Sequence, residues 1–487
     1  MKKPIRIGLA SARIPRILVA IIILAGLAFN TGGQTVTTLW NFSGSGTNGI
    51  SPAAPLTQGS DGNFYGTTGN GGSFNFGTVF QISPTGNITN LHSFNNGIQH
   101  GGTEPHVGLI QGSDGNFYGT TSGGGANACF CGIVFRISPS GSFTNLYSFS
   151  AAPNDGSGPQ GALAQGGDGN FYGTTSLGGT STNCSGGCGT IFRISPSGSY
   201  TNLYSFLGYP NDAAKPQAGL LQGNDGNFYG TTSAGGTQNS GTVFRISPSG
   251  IFTNLYSFGN YPNDGTAPQA GLVQGSDGNF YGTTSQGGMS TNCSGGCGTV
   301  FRISPSGSYT NLYSFVGSPS DGRQPVAGLV QGSDGNFYGT TRQGGTDNDG
   351  TVFEIGPGGS YTNLYSFVEN EQWPVAGLLQ GIDGNFYGTT LQGGTYNHGI
   401  VFKMTIPLNP PANQISAVQI KGYDLAVGIP SVASETYQLQ FTTDLTSGNW
   451  SNIPGASITN SIGALLTVTN FGVSVGPQGF YRFDITP

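Results

Sequence analysis

One octapeptide, Asp-Gly-Asn-Phe-Tyr-Gly-Thr-Thr, occurs seven times, beginning at Asp61, Asp114, Asp168, Asp225, Asp277, Asp334 and Asp383. Successive copies lie 53, 54, 57, 52, 57 and 49 residues apart. A period of this size, carried by strand-type sequence, restricts the chain to a propeller or a related repeat array.

The unit from Val107 to Phe149 reads as four short strands. Val107–Gln111 is an apolar run, and Ser113-Asp114-Gly115-Asn116 is a turn, since Asp-Gly and Gly-Asn supply the positive φ that tight hairpins need. Phe117–Thr121 follows as a second strand, rich in aromatic and β-branched residues. After a variable Gly-rich loop come Ile133–Ser138, the turn Pro139-Ser140-Gly141, and Phe143–Phe149. Four antiparallel strands per repeat make a propeller blade.

The ends of the array favour a ring over an open solenoid. The last repeat stops after Val401-Phe402-Lys403-Met404, with no counterpart of Thr144-Asn145-Leu146-Tyr147-Ser148-Phe149. That strand appears instead before the first repeat, as Val36-Thr37-Thr38-Leu39-Trp40-Asn41-Phe42. The N-terminal strand is expected to complete the seventh blade, and closure removes exposed sheet edges. The sequence therefore predicts an all-β chain: a leader over residues 1–33, a seven-bladed β-propeller over 34–406, a linker over 407–413 and a small β-sandwich-like domain over 414–487.

The leader rests on Lys2, Lys3, Arg6, Arg13 and Arg16 followed by the apolar run Ile17–Ala28, the pattern of a secretory signal peptide. Its removal leaves ten cationic side chains against 21 carboxylates, a net charge of −11, which excludes an electrostatic nucleic-acid binder. The six cysteines fall in three close pairs: Cys129 with Cys131, Cys184 with Cys188, and Cys293 with Cys297. In an exported chain the two Cys-Ser-Gly-Gly-Cys segments are expected to form local disulfides. The tighter Cys129-Phe130-Cys131 is expected to be strained if paired internally.

Candidate chemistry must lie on the variable loops, because the repeated residues are explained by the fold. The Asp of each Asp-Gly-Asn is read as an Asx turn rather than a metal ligand. Asp155, Asp212, Asp264 and Asp321 recur in the inter-blade loops and are read as loop structure. Arg136, Arg193, Arg245 and Arg302 recur in the third strand, where Gln81, Glu354 and Lys403 replace them, so that position is read as structural. Residues that break the repeat are the better candidates for ligand binding: Glu104, His106, Glu369, Glu371, Trp373 and His398, with His100 beside them. No Ser-His-Asp order, carboxylate couple or phosphate-binding glycine loop stands out, so no catalytic residue is assigned. No cofactor is expected; Asp347-Asn348-Asp349-Gly350 opens like a calcium loop but lacks the downstream Glu of an EF-hand.

The repeated unit, Gln-Gly-Ser-Asp-Gly-Asn-Phe-Tyr-Gly-Thr-Thr, then Gly-Thr-Val-Phe-Arg-Ile-Ser-Pro-Ser-Gly, then Thr-Asn-Leu-Tyr-Ser-Phe, closely resembles the GloVer (Gloeo-Verruco) tandem repeat of exported bacterial proteins. The C-terminal Tyr437–Leu445, Trp450 and Phe480-Tyr481-Arg482 resemble a β domain of exported verrucomicrobial proteins. The resemblance implies an extracellular or cell-envelope location and brings no catalytic residues. Taken together these readings predict a monomeric, secreted or cell-surface module that binds or scaffolds through its variable loops, with polysaccharide or an envelope protein as partner and no membrane span in the mature chain. The rival expectation is a carbohydrate-active propeller enzyme, a lyase or glycosidase, with one site at the channel mouth. Trp40, Trp373 and Trp450 do not repeat, which argues against a sevenfold aromatic sugar platform.

Overall fold

The computed structural model describes residues 34–406, apart from 45, 47, 96–100, 127–128, 211, 261–263 and 369–370, and the backbone of several strands toward each end of the chain. Seven four-stranded antiparallel sheets follow one another around a ring, and no helix occurs among the described residues. In the second blade the strands are Ile110–Gln111, Phe117–Thr121, Ile133–Ile137 and Phe143–Ser148, hydrogen-bonded in that order. Only two residues of the expected Val107–Gln111 strand pair with the second strand. The residues before them crowd the axis instead, where a side chain on Gly108 would come within 3.0 Å of Pro55.

The seventh sheet closes as the ends of the array predict. Thr35–Asn41 pairs with Ile400–Thr405, with Val36 opposite Met404 and Trp40 opposite Val401. The register slips at Leu39, as it does at Leu146 in the second blade. Each slip turns a carbonyl toward the neighbouring blade. Gly86, at φ 92°, abuts the Leu39 carbonyl so closely that a Cβ there would lie 2.7 Å from the oxygen. The Gly of the third-to-fourth turn is thus required by the blade before it.

The Phe-Tyr pair of the repeat is explained by packing on both sides of the second strand, which is buried at all five positions in every blade. Tyr65 stacks on Phe117 of the next blade, Tyr118 on Phe171, and so on until Tyr387 meets Phe64, at centroid separations of 3.9–4.4 Å. A second ring joins the last Phe of each blade edge-on to the third strand of the next, and Phe42 of the N-terminal strand supplies its closing contact with Phe80 at 5.4 Å. Such pairs add about 0.5–1.5 kcal/mol each beyond burial.

A third set of stacks joins neighbouring fourth strands, among them Tyr147–Tyr200 and Tyr313–Tyr361. The first blade differs in placing His92 on Phe143, rings 4.0 Å apart and nearly parallel. Burial lowers the His92 pKa from 6.5 to about 4. The unfolded imidazole therefore binds its proton first, and the stability supplied by the neutral ring is complete above pH 6.5 and is lost as pH falls toward 4. With allowance for the solvent that reaches the ring, the expected loss is roughly 2 kcal/mol. His92→Tyr, which installs the residue of the second to sixth blades, is expected to remove this part of the acid sensitivity. Parallel slopes of denaturant midpoint against pH for the two proteins would refute it.

Beyond the propeller the strands Ala417–Lys421, Asp424–Pro430 and Leu465–Asn470 form one sheet. The first two of these pair with each other, with Lys421 opposite Asp424. Thr436–Thr442, Ser451–Thr459 and Gly479–Thr486 lie in a second sheet. Ile7–Ala10 and Ala20–Ile23 of the expected leader pair with each other, and Ile7–Leu9 also pairs with Gly479–Tyr481 at the edge of that sheet. The linker at 407–413 lies outside the described residues.

Candidate functional site at the channel mouth

The two faces of the ring differ in how much of their chemistry is already committed to the fold. On the face of the Asp-Gly-Asn turns, Asp61 accepts hydrogen bonds from the Asn63 backbone, the Asn63 side chain and the Tyr65 hydroxyl, at 3.1, 2.9 and 2.8 Å. Burial opposes ionisation there, but the donations of Asn63 and Tyr65 outweigh it and hold the Asp61 carboxyl below its usual range. Burial and the same carboxylate push the Tyr65 phenol up to about 12. The arrangement recurs in all seven blades. The Gln before each turn ties blade to blade: Ser60 N–H donates to Gln111, and the series ends where Ile382 N–H donates to Gln58. Gln81 donates to Asp61 and Tyr65, and Lys403 sits 3.8 Å from Asp383. Glu354 accepts from Asn336 at 2.6 Å, and burial and the nearby Asp334 raise its pKa. These contacts account for the repeated Asp and for the variable third-strand position.

The opposite face carries the long loops. The recurring inter-blade aspartates are buried, and each receives the hydroxyl of a fourth-strand Tyr: Tyr147 to Asp155, Tyr204 to Asp212, Tyr256 to Asp264, Tyr313 to Asp321. Glu371 does the same in the sixth blade, accepting from Tyr365 at 2.8 Å. This candidate therefore holds a loop, as its aspartate counterparts do. All three candidate cysteine pairs are disulfides, Cys129–Cys131 included.

Nearer the axis, the residue before each inter-blade proline adopts a left-handed conformation: Ser51, Glu104, Gly158, Lys215, Ala267, Gln324 and Trp373, with φ between 53° and 61°. The conformation costs a non-glycine residue about 1 kcal/mol. It is held by hydrogen bonds of one pattern. Glu104 N–H donates to Phe76 of the preceding loop and its carbonyl receives Ser122 N–H; Trp373 N–H donates to Asp349 and its carbonyl receives Leu391 N–H. The backbone is constant and the seven residues differ in size, charge and polarity.

The side chains that break the repeat gather along one arc of this mouth, from the sixth blade through the seventh and first to the second. The Arg342 guanidinium lies 5.3 Å over the Trp373 ring. The His398 carbonyl receives Ser51 N–H. His106 occupies the space where other blades carry a side chain after the second strand; at Gly69 an added Cβ would lie 2.0 Å from the imidazole. Glu104 is exposed and accepts weakly from Ser122 Oγ at 3.2 Å. His106 packs beside Gly69; burial lowers its pKa and the Glu104 carboxylate pulls it back up. Glu104, His106 and Trp373 thus share the arc; the His398 imidazole lies instead against Gly44, in the loop that follows the outer strand of the seventh blade, and Glu369 and His100 lie outside the described residues. Arg342 was missed, although its place in a column otherwise filled by small or apolar residues was a visible signal. No cluster of three metal-ligating side chains occurs among the described residues.

Solved propellers share the architecture. A streptogramin B lyase structure aligns with a TM-score of 0.52 and 18% identity, over 76% of this chain and 97% of that one. The extracellular domain of a hybrid two-component system from B. thetaiotaomicron aligns at 0.49 and 10%, over 93% of this chain and 55% of that one. An ulvan lyase aligns at 0.43 and 11%, over 74% and 94%. At 18% identity the likeness to the streptogramin B lyase is one of fold alone. No curated protein matches the chain. The Gloeobacter/Verrucomicrobia repeat matches residues 26–185 and 177–402, most of the chain and all seven octapeptides, and the protein belongs to that family.

Proposed function

We propose that this protein is an extracellular binding module whose recognition surface is the arc Arg342–Trp373–His106–Glu104 at the channel mouth. The observation that carries the reading is the constant, left-handed backbone frame occupied by seven different residues, opposite a face whose polar groups are bound to one another. A rigid scaffold with variable positions is how binding surfaces are built. The three disulfides and the leader-like N-terminus support an oxidising, exported setting. The arc offers a guanidinium and an indole at one end and a carboxylate beside an imidazole at the other, which suits an extended polysaccharide or a peptide segment of an envelope protein.

Affinity electrophoresis through gels containing acidic or neutral polysaccharides tests it. One glycan class is expected to retard the protein, and Trp373→Ala is expected to weaken that retardation at least fivefold without a change in melting temperature. Retardation that Trp373→Ala and Arg342→Met both leave unchanged would remove the mouth as the surface. A second reading is favoured by Glu104 beside His106: a neutral imidazole next to a carboxylate is a proton-accepting pair. If a retarding glycan is cleaved, and Glu104→Gln abolishes cleavage but not retardation, the module is a carbohydrate-active enzyme.

A further inference from the structure

A second site lies on the outer rim of the same face, between the third and fourth blades, away from the channel. A cavity of about 410 Å³ opens there, walled by the Tyr204–Phe252 stack, by Tyr209 and Pro210 of the inter-blade loop, and by the amides of Asn183 and Asn254. The volume falls within the range of small-molecule pockets. Tyr209 and Leu207 are each 52% exposed at its rim, an unusual display for large apolar side chains in a loop fixed from below by the Cys184–Cys188 disulfide.

One other blade junction shows what is missing here. Between the fifth and sixth blades, Asp321 receives two phenols: Tyr313 on Oδ2 at 2.9 Å and Tyr361 on Oδ1 at 2.6 Å. Tyr200 and Tyr309 stand in the place of Tyr361 at two further junctions, where burial and the charges of Asp155 and Asp264 raise their pKa values, but neither hydroxyl makes the hydrogen bond that Tyr361 makes. In the fourth blade that residue is Phe252. Asp212 Oδ2 still receives Tyr204 Oη at 2.9 Å and Leu207 N–H at 2.7 Å, but Oδ1 has only the N–H of its own neighbour Ala213, at 2.8 Å. Asp212 Oδ1 thus has one donor where Asp321 Oδ1 has two, the Gly322 N–H and Tyr361, and it lies at the junction where the cavity opens.

We infer that this cavity binds a neutral sugar residue, one of whose hydroxyls donates to Asp212 Oδ1 in place of the absent phenol. The ligand must bring a hydroxyl donor, present an apolar face to Tyr209 and Phe252, and offer further hydroxyls to the two amides. A carboxylate in the wall with no cation among the lining residues disfavours acidic sugars. The site is separate from the mouth and does not depend on it.

The decisive variant is Phe252→Tyr, which installs the residue of the neighbouring blades and is therefore expected to fold at least as stably. Saturation-transfer NMR with the methyl glycosides of glucose, galactose, mannose and N-acetylglucosamine is expected to show transfer to one or more at 10 mM. Phe252→Tyr is expected to reduce that transfer at least tenfold, with an unchanged or higher melting temperature, while Trp373→Ala leaves it intact. Transfer to none of the four, or transfer that survives Phe252→Tyr undiminished, would overturn the proposal. Loss with Trp373→Ala alone would assign the sugar to the mouth and overturn it equally.

Discussion

Removal of the strand Thr35–Phe42 is expected to abolish the closed ring. The strand supplies the fourth member of the seventh sheet, and its ladder runs from Thr35 opposite Thr405 to Asn41 opposite Ile400. It also carries Phe42, 1% exposed, whose contact with Phe80 completes the edge-on ring between the seventh and first blades. Phe42→Ala alone should cost about 3–5 kcal/mol, the usual loss for a fully buried Phe. Deleting the whole strand adds the lost ladder and the burial of Trp40 and Leu39, which pack into the same cluster. The sum exceeds a large part of the ~5–15 kcal/mol by which a domain is stable. It also leaves Ile400-Val401-Phe402 as an unpaired, apolar edge, an invitation to intermolecular pairing. The measurement compares a chain beginning at Gln34 with one beginning at Ser43, by thermal unfolding and light scattering. The first should melt cooperatively as a monomer, and the second should aggregate or melt far lower. Equal melting temperatures, within about 3 °C, would mean that blade-to-blade packing closes the ring without this strand.

This strand was legible because the chain contains its own comparison set. Six other copies of Thr-Asn-Leu-Tyr-Ser-Phe or its relatives show what is missing after Met404, and Trp40 and Phe42 then find their register. The Asx turns were legible for the same reason. The mouth was less so. Nothing in Glu104, Lys215 or Trp373 as residues announces a positive φ, since the side chains that tolerate it best are Gly and Asn. What imposes it is the hydrogen bonding of neighbouring loops, which a linear reading does not bring together. Glu371 was misleading because it breaks the spacing: Tyr147 and Asp155 are eight residues apart, Tyr365 and Glu371 six, and the longer Glu side chain spans the difference. The outer cavity had a faint sequence signal, Phe252 between Tyr200 and Tyr309 of the adjoining blades, whose meaning needed the position of Asp212.

The second large effect separates two kinds of aspartate that recurrence alone makes look alike. Asp155 is 6% exposed; its Oδ2 accepts from Tyr147 Oη at 3.1 Å, Ser150 N–H at 2.8 Å and Ser150 Oγ at 2.6 Å, and its Oδ1 from Gly156 N–H at 2.8 Å. Asp155→Ala leaves a phenol, a hydroxyl and two amide groups short of an acceptor in a loop that has little water to offer them. An unsatisfied buried donor costs about 1–3 kcal/mol, and sharing among neighbours brings the expected total to about 3–4 kcal/mol. Asp168 makes a similar number of bonds, to the Asn170 amide, the Asn170 side chain and Tyr172 Oη, but its carboxyl stands in solvent. Water replaces the lost acceptor there, and Asp168→Ala is expected to cost about 1 kcal/mol. Chemical denaturation of the two variants measures the difference directly. Comparable losses would mean that the inter-blade loop is solvated, and that its aspartate is not what holds the variable face in place. A loss at Asp155 several times that at Asp168 would locate the rigidity of the recognition face in its buried carboxylates, which is the property that lets the side chains at the mouth vary without disturbing the ring beneath them.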